Sequence, residues 1–212
     1  MKILAFETLS SAVSTALMVD TKITSYNISS DKTKQSEILV SEIERILKEN
    51  NLWYHDLDWI ACSSGPASFT GTRIALACAR SIRIATKIPL ILMNSCEIIA
   101  HKYYGYKGEI ISLIQANSEE FFFARSGQEP QLVTKENLAN VLPKTKFLLC
   151  GSGKKAAAQI IANPQFEMTE EEDEIRANLI VSLALQKINN GEVKEAIEPI
   201  YLRSPNITQR KK

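Results

Sequence analysis

The sequence is short of histidine, holding only His55 and His101 in 212 residues. Its four cysteines, Cys62, Cys78, Cys96 and Cys150, are as widely scattered. Zinc sites built from thiols and imidazoles commonly draw paired ligands about two to four residues apart. Neither residue type meets that spacing, so no metal site is expected. The cysteines read as small, reduced, buried hydrophobes. His55 follows Trp53-Tyr54 in a loop and reads as exposed; His101 closes a helix, where it can interact with the carbonyl end.

Long apolar runs are missing too. No stretch approaches the ~20 residues that a membrane-crossing helix needs. The opening MKILAFE meets Glu7 too early for the apolar core of a signal peptide. Both absences predict a cytoplasmic chain with no membrane partner. A surplus of one charge is absent as well: 25 basic residues against 24 acidic ones leave +1. A protein that grips nucleic acid by itself carries basic excess, because neutralising phosphates supplies most of its affinity. Only the tail Gln209-Arg210-Lys211-Lys212 offers any.

What remains is an ordinary globular composition, 45% hydrophobic and 23% charged. The length suits one large domain or two small lobes. Residues 1–6, 12–19 and 23–30 read as three strands, rich in apolar and β-branched residues. Their links are too short for crossover helices, so they are expected to be antiparallel neighbours. Residues 36–50 take helical spacing, with Ile38, Leu39, Ile43, Ile46 and Leu47 on one face. A buried strand at 59–63, a helix at 73–86, a strand at 89–93 and a helix at 95–103 complete the first pass. Antiparallel strands followed by alternating helices and strands is the order of an actin-like, ribonuclease-H-like lobe.

The stretch Tyr103-Tyr104-Gly105-Tyr106-Lys107-Gly108 marks a boundary, giving lobes at 1–104 and 105–212. Past it the order begins again with strands at 109–115, 120–125 and 146–150. A helix at 154–162 and an amphipathic helix at 177–189, stopped by Asn190-Gly191, follow. The second pass is less complete. The fold class expected is therefore α/β, with two unequal lobes of mixed sheets and flanking helices.

Cys62-Ser63-Ser64-Gly65-Pro66-Ala67-Ser68-Phe69-Thr70-Gly71-Thr72-Arg73-Ile74 is the most informative segment. It reads as a strand end, a tight turn and a helix start. Gly65 tolerates φ > 0 and Pro66 fixes φ; Ser68 or Thr70 can cap the helix. Such a start can hold a phosphate, or it can be no more than a capped helix. Behind it Ala75, Ala77, Cys78, Ala79 and Ser81 permit a second helix to pack closely, within the chain or across a subunit interface. Arg73 and Arg80 fall on nearly one face.

The string GPASFTGTRI resembles the GPGSFTGxRIG motif of the TsaB (YeaZ) family, an actin-like group related to TsaD proteins. ILAFETLSSAVSTAL, KQSEILVSEIERIL and IEPIYLR resemble the family's opening, first helix and ending, in the family's order over nearly the whole chain. The resemblance implies a non-catalytic partner and activator in threonylcarbamoyladenosine synthesis on tRNA. In that scheme the chain binds the TsaD transferase directly and meets the TsaE ATPase in the complex. Contact with tRNA is indirect, and a homodimer can form without the partner. By position, Gln35, Ile38, Leu39, Phe69, Arg73, Ala77 and Arg80 lie at or near the partner or dimer contact.

Two departures bear on chemistry. Where the family has Asp in its first phosphate-facing loop this chain has Glu7, and one methylene can displace the charge by over ~1 Å. Where the family has Asp-Ala-Arg-x-Gly-Glu-Val-Tyr this chain has Gln115-Ala116-Asn117-Ser118-Glu119-Glu120-Phe121-Phe122. Gln115 supplies no anionic magnesium ligand. TsaD-type proteins carry a histidine pair one turn apart, which is absent here. The loop Gly151-Ser152-Gly153-Lys154-Lys155 lacks P-loop spacing. Residual nucleotide contact would fall to Glu7, Gly65, Gly151 and Gly153, with ATP or ADP at the complex interface and no cofactor of the chain's own. The alternative is a stand-alone actin-like ATPase or small-molecule kinase. The run Glu170-Glu171-Glu172-Asp173-Glu174 reads as a solvated loop. Phe121-Phe122-Phe123 reads as a strand with one core face and one surface face.

Overall fold

A computed structural model describes residues 1–9, 12–29, 34–161, 166–193, 200 and 202. The expected tail at 209–212, and most of the IEPIYLR segment, lie outside the described residues. Among these described residues, ten strands form two sheets of five. The first holds β1 (Lys2–Glu7), β2 (Ala12–Val19), β3 (Lys22–Ser29), β4 (Trp59–Ser63) and β5 (Leu90–Met93), in the order β3-β2-β1-β4-β5. The second holds β6 (Glu109–Gln115), β7 (Glu120–Arg125), β8 (Gln131–Thr134), β9 (Phe147–Cys150) and β10 (Phe166–Met168). Its order, β10-β9-β6-β7-β8, is the same one read from the other edge.

In both sheets the first three strands run antiparallel and the last two run parallel to the first. Short links dictate the antiparallel part and helical crossovers the parallel part. The second lobe thus has a full set of strands; β8 and β10 escaped the sequence reading. They have four and three residues, too short to show alternation.

Among the described residues, six α-helices and the two sheets form five layers. α1 (Gln35–Glu49) and α2 (Phe69–Thr86) cover the outer face of the first sheet. α3 (Ser95–His101) and α6 (Ala177–Asn190) fill the space between the sheets. α4 (Leu138–Val141) and α5 (Lys154–Ala158) lie on the outer face of the second. The lobes are unequal in their helices, 15 and 18 residues against four and five. α6, grouped with the second lobe in sequence, packs against β1, β2 and β4 of the first sheet. The Ser14 hydroxyl accepts the backbone N–H of Ala177 at 2.9 Å and so fixes the start of this helix.

Both sheets are covered on two sides, so their central strands are apolar throughout. In β1, Ile3 and Ala5 enter the central core while Leu4 and Phe6 enter the outer one. β7 follows the same rule. Phe122 joins the central core, and Phe121 and Phe123 the outer core of the second lobe. The surface face expected for this triplet does not exist, because α4 and α5 cover it.

Three cysteines are buried as expected: Cys62, Cys96 and Cys150, with Cys78 half-buried. Burial pushes the Cys78 thiol up to about 11 and those of Cys96 and Cys150 up to about 12. All four therefore remain protonated thiols at neutral pH.

Candidate functional site

The GPASFTGTRI segment connects β4 to α2. Gly65 takes φ +86° and is followed by a cis bond to Pro66. Ser68 is the N-cap of α2 and accepts the Gly71 N–H at 3.4 Å. The turn's polar groups are satisfied by the chain itself. The Ser64 N–H donates to Met93 O at 2.9 Å, the Ser95 N–H to Gly65 O at 2.7 Å, and the Ile200 N–H to Ser64 O at 2.8 Å. Ser64 is thus pinned from both sides, by β5 and by Ile200, and Gly65 by the start of α3.

The β1–β2 loop is equally committed. Glu7 is fully buried, and its carboxylate accepts the Leu9 N–H at 2.6 Å. The Thr8 hydroxyl donates to Gly71 O at 2.7 Å. A Cβ on Gly71 would stand 2.1 Å from Thr8 O, so only glycine lets the β1–β2 loop rest on the first turn of α2.

In the second lobe Gln115 is exposed, and its backbone N–H donates to the Ser152 hydroxyl at 3.1 Å. Gly151 has φ +101°, and a Cβ there would meet Leu113 O at 2.3 Å. Lys154 is buried and does not face the cleft. Its ammonium meets the Asp173 carboxylate at 2.6 Å, with side-chain exposures of 4% and 0%. The acidic run is therefore not uniformly solvated: Asp173 turns inward while Glu170, Glu171 and Glu172 stay exposed. Burial works to raise the Asp173 pKa. Hydrogen bonds from Lys154, Tyr103 and the Gly151 N–H outweigh it and hold the carboxyl below its usual range.

His101 is the last residue of α3, as expected. Its Nε2 pairs with the Ser182 hydroxyl of α6 at 2.9 Å, and burial lowers its pKa against the opposing pull of Glu97. His55 is exposed, in a single turn of tight helix at Tyr54–Asp56. A cleft of about 900 Å³ opens among β5, α3, the β6–β7 hairpin and α6. Asn94, Glu97, His101, Arg125 and Lys187 are among the residues lining it; Glu7, Gly65, Gly151 and Gly153 are not.

The expected contact residues divide by burial. Gln35 and Leu39, at 3% and 1% exposure, are held inside the first lobe, where they support α1 and present nothing outward. Ile38 packs partly on the same core. Arg73 and Ala77 are exposed; Phe69 and Arg80 are half-buried. The Arg73 guanidinium lies 3.7 Å from the centre of the Phe69 ring, a stacked cation–π pair on the surface. Ala75 and Ala79 pack inward on the core, whereas Ala77 and Ser81 face out. The small residues therefore divide between an internal contact and an exposed face. Ile84, 70% exposed, extends the outward row of α2, and Val40, 45% exposed, sits on the neighbouring α1. Sequence reasoning missed both, since a lone apolar residue on an outer helix face carries no periodic signal.

Two matching five-stranded sheets enclosing a shared helical layer define an actin-like protein built of ribonuclease-H-like lobes. The model of the TsaD family, described as tRNA N6-adenosine threonylcarbamoyltransferase, matches residues 24–191. A tRNA threonylcarbamoyladenosine biosynthesis protein TsaB from Buchnera aphidicola subsp. Baizongia pistaciae is 31% identical over 151 residues, 69% of this chain and 67% of that protein. The protein of the same description from Escherichia coli (strain K12) is 23% identical, aligned over 100% of this chain and 98% of its own length. The solved structure of YeaZ from Pseudomonas aeruginosa has the same fold, with a TM-score of 0.81 and 21% identity over 95% of this chain and 99% of that one. The chain belongs to the TsaB (YeaZ) family.

Proposed function

We propose that this chain serves threonylcarbamoyladenosine biosynthesis on tRNA as a non-catalytic partner, docking onto a TsaD-type transferase through the outer face of α1 and α2. The observation that carries the docking surface is the open row on α2. Arg73 stacked on Phe69, Ala77, Ser81 and the exposed Ile84 form a shallow ridge with a basic edge, and α1 adds an exposed Val40. Small side chains in its middle let a partner helix approach closely, and a stacked arginine adds a planar, weakly hydrated cation suited to interfaces. A homodimer through the same ridge can form when the partner is absent.

The non-catalytic role is supported by how the loop groups are spent. Glu7 is turned onto the Leu9 N–H, Lys154 is paired internally, and an amide stands at Gln115. A phosphoryl-transfer site needs carboxylates free to hold magnesium and a cradle open to phosphates. ATP or ADP use accordingly belongs to the assembly with TsaE, and tRNA is held mainly by other subunits, in keeping with the net charge of +1.

Size-exclusion chromatography of the chain mixed with a TsaD-type transferase tests the reading. A joint peak is expected, and it should vanish with Ala77→Arg, which forces a charge into the contact. Separate peaks for the unaltered proteins would overturn the partnership. Pairing that survives Ala77→Arg would overturn the choice of surface. Magnesium-dependent ATP turnover or sugar phosphorylation by the isolated chain, lost on Glu7→Ala, would replace this reading with an independent ATPase or kinase.

A further inference from the structure

We propose that the Gly151 loop, Lys154 and Tyr103 form an oxyanion pocket between the two lobes, and that Asp173 is its built-in occupant. The pocket has the donor set of an anion site. One Asp173 oxygen accepts the Gly151 N–H at 2.9 Å and the Lys154 ammonium at 2.6 Å. The other accepts the Tyr103 hydroxyl, with the Lys102 ammonium 3.6 Å away. The donors are themselves held in place. The Thr169 hydroxyl lies 3.0 Å from both the Tyr103 hydroxyl and the Lys154 ammonium, and the Glu171 carbonyl accepts from the same ammonium.

Their origin gives the pocket its consequence. Gly151 and Lys154 belong to the second lobe, the first just after β9 and the second opening α5, while Lys102 and Tyr103 follow α3 in the layer between the sheets. Asp173 precedes α6, which docks on the first sheet. One carboxylate therefore clasps the glycine loop, the interlobe layer and the entry to α6. Placed elsewhere, a glycine loop with a following lysine would be open to a phosphate or a carboxylate. Here the chain's own carboxylate fills it, so the loop is closed to nucleotide phosphates as long as the acidic run stays docked. This goes beyond the partner role and does not depend on it, because every group belongs to this chain.

Chemical rescue tests the pocket. Asp173→Gly removes the carboxylate and leaves its donors, so the variant should melt lower than the unaltered protein. Sodium formate should recover most of that loss, while sodium chloride at equal ionic strength should not. Inorganic phosphate should raise the melting temperature of the variant and leave that of the unaltered protein unchanged. Formate acting no better than chloride would overturn the proposal, as would equal phosphate stabilisation of both proteins. If Asp173→Gly does not fold, Asp173→Asn keeps the shape and removes the charge. Exchange of the Gly151 amide hydrogen should then accelerate by about tenfold, the loss expected for a charge-assisted hydrogen bond. An unchanged rate would overturn the proposal equally.

Discussion

The two lobes share a strand order and differ in what secures their loops. In the first, helices of 15 and 18 residues cover the outer face of the sheet. The β1–β2 loop is then fixed by close backbone approach at Gly71 and by short hydrogen bonds from Thr8 and to Glu7. In the second, helices of four and five residues do the covering. Its glycine loop is fixed by a buried ion pair brought from a distant turn. Long amphipathic helices bury enough apolar area to hold a lobe by themselves. Where helices are this short, a desolvated charge pair takes over part of the task and makes the lobe dependent on both its members.

The contrast predicts graded effects. Lys154→Ala strands the Asp173 carboxylate in the interior and should cost about 3–5 kcal/mol by urea unfolding. Glu7→Gln keeps an acceptor near Leu9 and should cost about 1–2 kcal/mol. A larger loss for the Glu7 change would show that the first lobe is the charge-dependent one. Gly71→Ala and Gly151→Ala should each cost on the order of 2–4 kcal/mol by the same measurement, through backbone collision and, at Gly151, a left-handed φ. Gly127→Ala shares only a positive φ, with open space around it, and should cost about 1 kcal/mol. Similar values for all three would remove the case for close backbone approach.

Ala77→Arg should leave unfolding free energy within about 0.5 kcal/mol, as expected of an exposed position. Its effect belongs to partner binding, and isothermal titration against a TsaD-type transferase separates the two.

The smallest effects concern pH. The Asp173 pKa is depressed in the fold, so its stabilisation is complete above the ordinary aspartate value of about 3.9. It is lost as pH falls through the lower folded value, and Asp173→Asn should flatten that acid limb. His101 is also depressed. Stability should therefore decline as pH drops below about 6.5, where the unfolded chain takes up a proton first, and level off once the folded imidazole protonates. His101→Gln should remove this slope in thermal melts between pH 7 and 5. A slope that persists would assign it to other groups.

Much of the fold was legible in the chain. The apolar period of residues 36–50 and the run at 109–115 came through because burial on both sides of a sheet leaves few alternatives. The short β8 and β10 did not, since pairing with long neighbours decides strands of so few residues. The GPASFTGTRI turn was readable from Gly65, Pro66 and Ser68, whose backbone preferences act locally. Gln35 and Leu39 were placed near the contact by position, yet their burial depends on how α1 rolls against the sheet.

The Asp173 pocket had the weakest signal. Its partner Gly151 lies 22 residues away. The hint was a single aspartate among glutamates, a shorter acid where reach was restricted.

By itself, then, the sequence determined the antiparallel start of the first sheet, the capped turn, the burial of three of the thiols and the family, because each rests on local propensity or on a motif in fixed spacing. Tertiary structure alone decided which helix residues face outward, which polar groups of the loops are already hydrogen-bonded within the chain, and that Lys154 looks inward. Those outcomes turn on contacts between segments far apart in the chain. Charge inside a protein settles only where a partner arrives to meet it, and no local pattern announces that meeting.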